Sequence, residues 1–226
     1  MPSDGLGLRS LKRRSLREEA VEVLRAAILG GELAPGSIHS AVSLAERMNV
    51  SATPIREAML ELARIGLIEV LPNRGFRVTV VDDRNLDEIC EIRMMLEVPA
   101  MPLVIERASD DDLVELEQPL SELELAAGAD DVAAFLLADR EFHLSLLAFA
   151  GNPRLVTIIA GLRDQTRIVG LSSLAEDGAL RSSAAEHRPI LEAVRRREVG
   201  EAERLMRVHL EHTRGVWDGR AEPDAG

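Results

Sequence analysis

The chain has 226 residues, 46% of them hydrophobic and 29% charged, which fits one large or two small globular domains and excludes a disordered polymer. With 27 Lys and Arg against 39 Asp and Glu, its formal net charge is −12, which excludes a uniformly basic coat for nucleic acid or lipid. The average hides an asymmetry: residues 1–80 carry 11 basic against 9 acidic side chains, and residues 81–226 carry 16 against 30.

Cys90 is the single cysteine, so neither an intramolecular disulfide nor a thiolate metal cluster is available, and the composition fits a reducing compartment. The start lacks an apolar stretch after a basic one, and no run approaches the roughly 18 apolar residues of a membrane span. These features predict a soluble, cytoplasmic protein with no membrane partner. Aromatic residues make up 2%, with no Tyr, and β-branched clusters are scarce outside one region, so the expected class is mainly α.

In chain order, residues 1–14 form a predicted flexible arm with Lys12, Arg13 and Arg14. Ala20, Val23, Leu24, Ala27 and Ile28 recur at helical spacing over residues 16–29, and Gly30-Gly31 stops that helix. Ser40 is placed to cap a short helix ending at Met48. Asn49-Val-Ser51 then turns the chain into a third helix, with Pro54 in its first turn and Ile55, Ala58, Met59 and Leu62 inward. Residues 67–71 and 76–80 read as strands around Pro72-Asn-Arg-Gly75, a hairpin or wing. The domain boundary falls near residue 81, with a stiff linker over 81–84. From residue 85 to 217 the pattern predicts a bundle of six to seven helices, in segments near 85–107, 110–127, 131–149, 153–173, 180–197 and 200–217. Residues 218–226 form a tail.

Helix, short helix, turn, helix and hairpin is the winged helix-turn-helix order, in which the third helix enters the DNA major groove. Ser51 and Thr53 stand at that helix's N-terminus, where free N–H groups and the dipole favour phosphate. Arg56 can fork onto guanine O6 and N7. Arg74 at the hairpin tip, with Gly75 permitting close approach, suits a phosphate or a narrow minor groove. Each alone reads sooner as a cap or a solvated charge; together with the wing they read as a DNA contact set.

Over roughly residues 15–80 the sequence resembles the GntR family of bacterial transcription regulators. The resemblance is carried by Ala34-Pro-Gly36, Leu44-Ala-Glu46, Val50-Ser-Ala-Thr-Pro-Ile-Arg-Glu-Ala58, Gly66-Leu-Ile and Asn73-Arg-Gly75. It implies operator binding as a homodimer on pseudo-palindromic double-stranded DNA, with Ser51, Thr53, Arg56 and Gly75 on family DNA-contact positions; Ser40 and Arg74 complete the expected DNA-binding set. Two positions depart from the family pattern: Ala52, commonly arginine, and Ala41, commonly acidic.

In the bundle, the stripe Val132, Phe135, Leu136, Phe142, Leu146 and Leu147 contains Asp139 and His143 at i, i+4. A buried carboxylate needs a partner or a metal. His187 lies on a stripe with Ala184, Ile190, Leu191 and Val194, and His209 on one with Ala202, Leu205, Met206, Thr213 and Val216; His212 is nearer the edge. Three imidazoles and a carboxylate form a reasonable set for a divalent transition metal of the Zn, Ni or Mn class with open positions. Spacing alone leaves the bland alternative open, that each histidine is a satisfied core residue. Arg93 and Glu97 interrupt the stripe of Leu86, Ile89, Cys90, Ala100 and Val104, either as an interface ion pair or with Arg93 holding an anionic ligand.

Residues about 84–217 resemble the FCD domain of the FadR-like branch of that family. Glu91-Ile-Arg93 with Leu96-Glu97, Asp139-Arg-Glu-Phe-His143, Gly151-Asn-Pro153, Glu186-His187 with Ile190, and Met206-Arg-Val-His209-Leu carry the likeness. It implies Asp139, His143, His187 and His209 as metal ligands and Arg93 near an effector pocket, in a sensor for a small carboxylate effector. The expected function is a metabolite-responsive repressor and not an enzyme. Two alternatives remain at this point: a metal-dependent hydrolase with an appended DNA-binding module, although Glu141 next to His143 lies off the inward stripe, and a regulator whose effector is the metal ion.

Overall fold

The computed structural model describes residues 15–173 and 179–217; the predicted basic arm and tail lie outside the described residues. The first unit begins with helix α1 (Leu16–Leu29), whose Ser15 and Glu18 form a reciprocal capping box, and a two-residue strand β1 (Ile38–His39) follows. Helix α2 (Ala41–Met48) starts where Ser40 accepts the Ser43 N–H at 3.0 Å, and it ends at Asn49, whose left-handed φ of 53° frees the chain to turn. Helix α3 (Ala52–Arg64) comes next, then strands β2 (Ile68–Leu71) and β3 (Gly75–Val78). The strands pair antiparallel in the order β1-β3-β2, with Val70 opposite Phe76 and Leu71 opposite Gly75. Leu24, Ile28, Leu44, Ile55, Leu62, Leu67 and Phe76 form one core under the three helices and the sheet. Each such side chain contributes about 1.5–3 kcal/mol on burial.

β1 extends the expected hairpin to three strands. Two residues are too few to display the alternation that marks a strand.

The second unit is helical: α4 (Asp83–Glu97), a 3-10 turn (Val98–Ala100), α5 (Met101–Arg107), α6 (Asp110–Glu115), α7 (Glu117–Gly128), α8 (Val132–Ala148), α9 (Pro153–Ser173), α10 (Ala179–Arg195) and α11 (Val199–Trp217). The mainly α class holds, with eight α-helices among the described residues of this unit where the sequence pattern divides into six segments. Prolines account for the extra breaks. Pro102 and Pro119 cannot donate to the carbonyls four residues back, Val98 and Glu115, and their rings crowd them. The chain therefore leaves α-helical bonding at the Val98–Ala100 turn and between α6 and α7. Asp82 caps α4 through the Asn85 N–H at 2.8 Å, so the segment joining the two units is only a few residues long. Two apolar clusters pack the bundle. One is centred on Leu120, Phe142, Leu146 and Ile190, and the other on Leu123, Phe135 and Leu136. Among the described residues no helix is long and apolar enough to cross a membrane.

Candidate metal centre and DNA-reading surface

On the reader, Ser51, Thr53, Arg56 and Arg74 are all exposed. Ser51 makes no side-chain cap bond to α3, so its hydroxyl is not consumed by the helix it precedes. Ser40 does cap α2, which uses its oxygen as acceptor and leaves its O–H to donate elsewhere. The wing tip turns through Asn73 (φ 61°) and Gly75 (φ 107°), and Arg74 N–H bonds Leu71 O at 3.0 Å. These positive φ values are ones that Asn and Gly adopt readily.

In the bundle, α8, α10 and α11 bring Asp139, His143, His187 and His209 together. One ligand atom of each lies within 4.8 Å of all the others. His143 Nε2 is 3.2 Å from His187 Nε2 and 3.1 Å from His209 Nε2, and His187 Nε2 is 3.1 Å from Asp139 Oδ1. The three imidazoles are 0–1% exposed, and the Asp139 side chain is 18% exposed. His212 stands outside this group, half-exposed, with Nδ1 on Glu186.

The outer ring nitrogens show which tautomers are present. His187 Nδ1 is 3.0 Å from the Ser183 carbonyl, and His209 Nδ1 is 2.8 Å from Glu186 Oε2. Both partners are acceptors, so both Nδ1 atoms must carry the proton and both Nε2 atoms present lone pairs to the centre. His143 Nε2 can offer at most one N–H to two such neighbours. A cation relieves the mutual repulsion of acceptors gathered this closely. Metal–nitrogen bonds of about 2.0–2.1 Å put adjacent ligand nitrogens about 3.0–3.4 Å apart, and the His143–His187 and His143–His209 pairs lie in that range, while Asp139 Oδ1 stands 3.8 Å from His143 Nε2. The residues fit a divalent transition metal.

Charge supports the same chemistry. Burial, reinforced by the Arg163 guanidinium, pushes the His143 imidazole down to about 3, so it is neutral as a ligand must be. Burial and the neighbouring His187 and His143 hold His209 well below the ordinary histidine range. Burial alone would raise the Asp139 carboxyl, but Arg163 and the His187 contact override it and keep it well below the usual carboxylate range.

Behind the four candidate ligands lies a buried network that sequence reading found only in part. Arg93 Nε donates to Glu97 Oε1 at 2.7 Å, the i, i+4 ion pair expected on α4, and both residues are 0% exposed. Arg163 of α9 joins the two layers, with Nη1 on Asp139 Oδ2 and Nη2 on Glu97 Oε2, both at 2.8 Å. His143 Nδ1 faces the same Glu97 oxygen at 3.4 Å. Burial would raise the Glu97 carboxyl, and Arg163 with Arg93 instead holds it well below its ordinary range. Arg163 was absent from the candidate set. Its signal was a charge four residues after the buried Ile159 of α9.

Residues 16–78 match the model for bacterial regulatory proteins of the gntR family, and residues 88–212 match the FCD domain. The chain belongs to the GntR family, with an FCD domain. It is 31% identical over 191 residues to the HTH-type transcriptional regulator YdhC of Bacillus subtilis (strain 168), covering 84% of this chain and 85% of YdhC. It is 33% identical over 162 residues to the HTH-type transcriptional regulator McbR of Escherichia coli (strain K12), covering 72% of each. The solved structure of E. coli McbR/YncC superposes with a TM-score of 0.82 at 26% identity, covering 92% of this chain and 99% of that one. These GntR relatives are transcription regulators and not enzymes, so this chain is a DNA-binding transcriptional regulator. The hydrolase alternative falls with that finding, and Glu141 is exposed, as its place off the stripe predicted.

Proposed function

We propose that this regulator is a homodimeric cytoplasmic repressor whose operator affinity is set by a small carboxylate bound at a divalent transition metal in the bundle. Residues 15–80 act as the reader, 81–84 as the linker and 85–217 as the sensor and dimerisation unit. The reading rests on one observation: the Nε2 lone pairs of His187 and His209, with His143 and the Asp139 carboxylate, converge on one point while their outer nitrogens are already held. A bound ion of the Zn, Ni or Mn class would supply a Lewis-acidic anchor for a carboxylate oxygen. Asp139, His143, His187 and His209 would hold it, and Arg93, its charge already matched by Glu97, would add guanidinium donors suited to a carboxylate. On the reader, Ser40, Ser51, Thr53, Arg74 and the Gly75 backbone meet phosphate, and Arg56 reads guanine. Control requires only that the effector prefer one arrangement of the two readers, and about 1–3 kcal/mol of preference shifts operator affinity about 5- to 150-fold.

The test is operator binding on the protein's own upstream DNA, titrated with Zn2+ and a panel of small carboxylic acids. Arg56→Ala should cost about 1–3 kcal/mol of affinity for the specific site. His143→Ala and His209→Ala should each lose the bound ion, and chelation should abolish the carboxylate response. Identical DNA binding by wild type and Arg56→Ala, or a carboxylate response that survives chelation, would overturn the proposal.

A further inference from the structure

Helix α9 lies between the ligand cluster and the reader, and three consecutive residues divide its contacts. Arg163 faces the cluster, on Asp139 and Glu97. The next two residues, each turned about 100° further round the helix, face the reader. Asp164 is 1% exposed; its Oδ1 accepts from Arg140 Nε at 2.7 Å, and its Oδ2 lies 3.6 Å from Arg25 Nη1 of α1. Gln165 Nε2 donates to the carbonyl of Ile65, the residue that ends α3, at 3.0 Å. The fit is close. Gly161, one turn before Gln165, lets α9 approach Ile65, and a side chain on Gly66 (φ 78°) could not be added without displacing Gln165.

We infer that Arg163-Asp164-Gln165 is a relay that couples the state of the ligand cluster to the seating of the reader on α9. The inference rests on reading the cluster as the sensing centre. Two routes leave Asp139. One runs through its own carboxylate to Arg163, and the other through the next residue, Arg140, to Asp164. Asp139 already bridges the two, with Oδ1 3.1 Å from His187 Nε2 and Oδ2 on Arg163, so any movement of the carboxylate at the cluster is felt directly by a buried guanidinium, which α9 must re-seat. Asp164 is shared between Arg140 of the sensor and Arg25 of the reader, so a shift of α8 against α9 redistributes the same carboxylate at the domain contact. Buried charges held this way favour discrete arrangements over gradual ones, as a switch requires.

The test is hydrogen–deuterium exchange of the full chain with and without Zn2+, read at residues 16–29 and 62–66, in wild type, Arg25→Ala and Gln165→Ala. Both substitutions spare the cluster, and the Arg25 side chain is 36% exposed, so folding does not depend on it. Zn2+ should change protection of these reader segments about fivefold or more in wild type. That change should be lost in either variant while Zn2+ affinity stays within about twofold of wild type. A change that persists in both variants, or no change in wild type with Zn2+ bound, overturns the relay. If Zn2+ does not bind, the metal reading falls and Asp139→Asn decides the relay alone. It removes the charge facing Arg163 and should alter reader exchange in an otherwise wild-type chain but not with Gln165→Ala. Unaltered exchange would overturn the inference.

Discussion

Glu186 is the residue whose work is easiest to separate from ligation. Its Oε2 accepts a hydrogen bond from His209 Nδ1–H at 2.8 Å, on the side of the ring away from the centre, and so fixes which nitrogen of that ring is bare. Partners of this kind orient the imidazole and raise its basicity, and losing one costs about 10- to 100-fold in metal affinity. Glu186→Ala should therefore weaken Zn2+ or Ni2+ binding by that factor while all four ligands remain. His212→Ala removes the other group on the same carboxylate, from a half-exposed position, and should leave affinity near wild type. Calorimetric titration of the three proteins checks both, and equal affinity for Glu186→Ala and wild type would refute the tautomer argument. The same residue shows what a sequence can carry. Asp139 and the three histidines stood out because each interrupts an apolar stripe, and burial makes such interruptions expensive. Glu186 and Arg163 act across helices 23 and 24 positions away from the ligands they hold, and no periodicity within one helix encodes those pairings.

At the scale of elements, the reader was legible and the wing only partly so. The first three helices begin and end where Ser40, Asn49 and the glycine pair said they would, because capping is chemistry local to a few residues. Strand β1 was invisible because its partners on β3, Phe76 and Arg77, come 37 and 39 positions later. That pairing gives Gly75 a second function beyond its turn. A Cβ there would intrude on the His39 carbonyl, the backbone of the neighbouring strand, and φ at 107° strains any L side chain. Backbone cannot give way as a flexible side chain can. Gly75→Ala should destabilise the reader by about 1–3 kcal/mol from strain alone, with the clash adding to it. It should also weaken operator binding by displacing Arg74, with the bundle's metal affinity unchanged. Urea denaturation and operator titration on the same preparation check this. A variant as stable as wild type would mean that β1 is not held against β3.

For the whole molecule, the division of charge decides how DNA is approached. The bundle carries most of the acidity, but at physiological ionic strength charges separated by more than about 8 Å are largely screened, so its repulsion of DNA beyond that distance is weak. The reader itself is nearly neutral, with Arg17 on Glu61 and Arg77 on Glu69 already offset by ion pairs. Few cations are then left to neutralise phosphate: among the described residues the exposed Arg47, Arg64 and Arg74, with Arg56 given to base reading, and by composition the arm with Arg9, Lys12, Arg13 and Arg14. Each phosphate contact contributes about −0.9 to the slope of log affinity against log salt. Removing residues 1–14 takes one carboxylate, Asp4, and four cations, Arg9, Lys12, Arg13 and Arg14, from each copy of the chain. If at least one of these cations meets phosphate in each half of a dimer, the slope should flatten by about 2 or more. Arg56→Ala, a loss of base reading, should instead lower affinity for the specific site with a smaller change in slope. Fluorescence anisotropy over a KCl series, with operator and unrelated duplex, separates the two. An unchanged slope after removal of the arm would place the phosphate contacts wholly on the folded reader. Affinity would then have to come from pairing two readers on one operator.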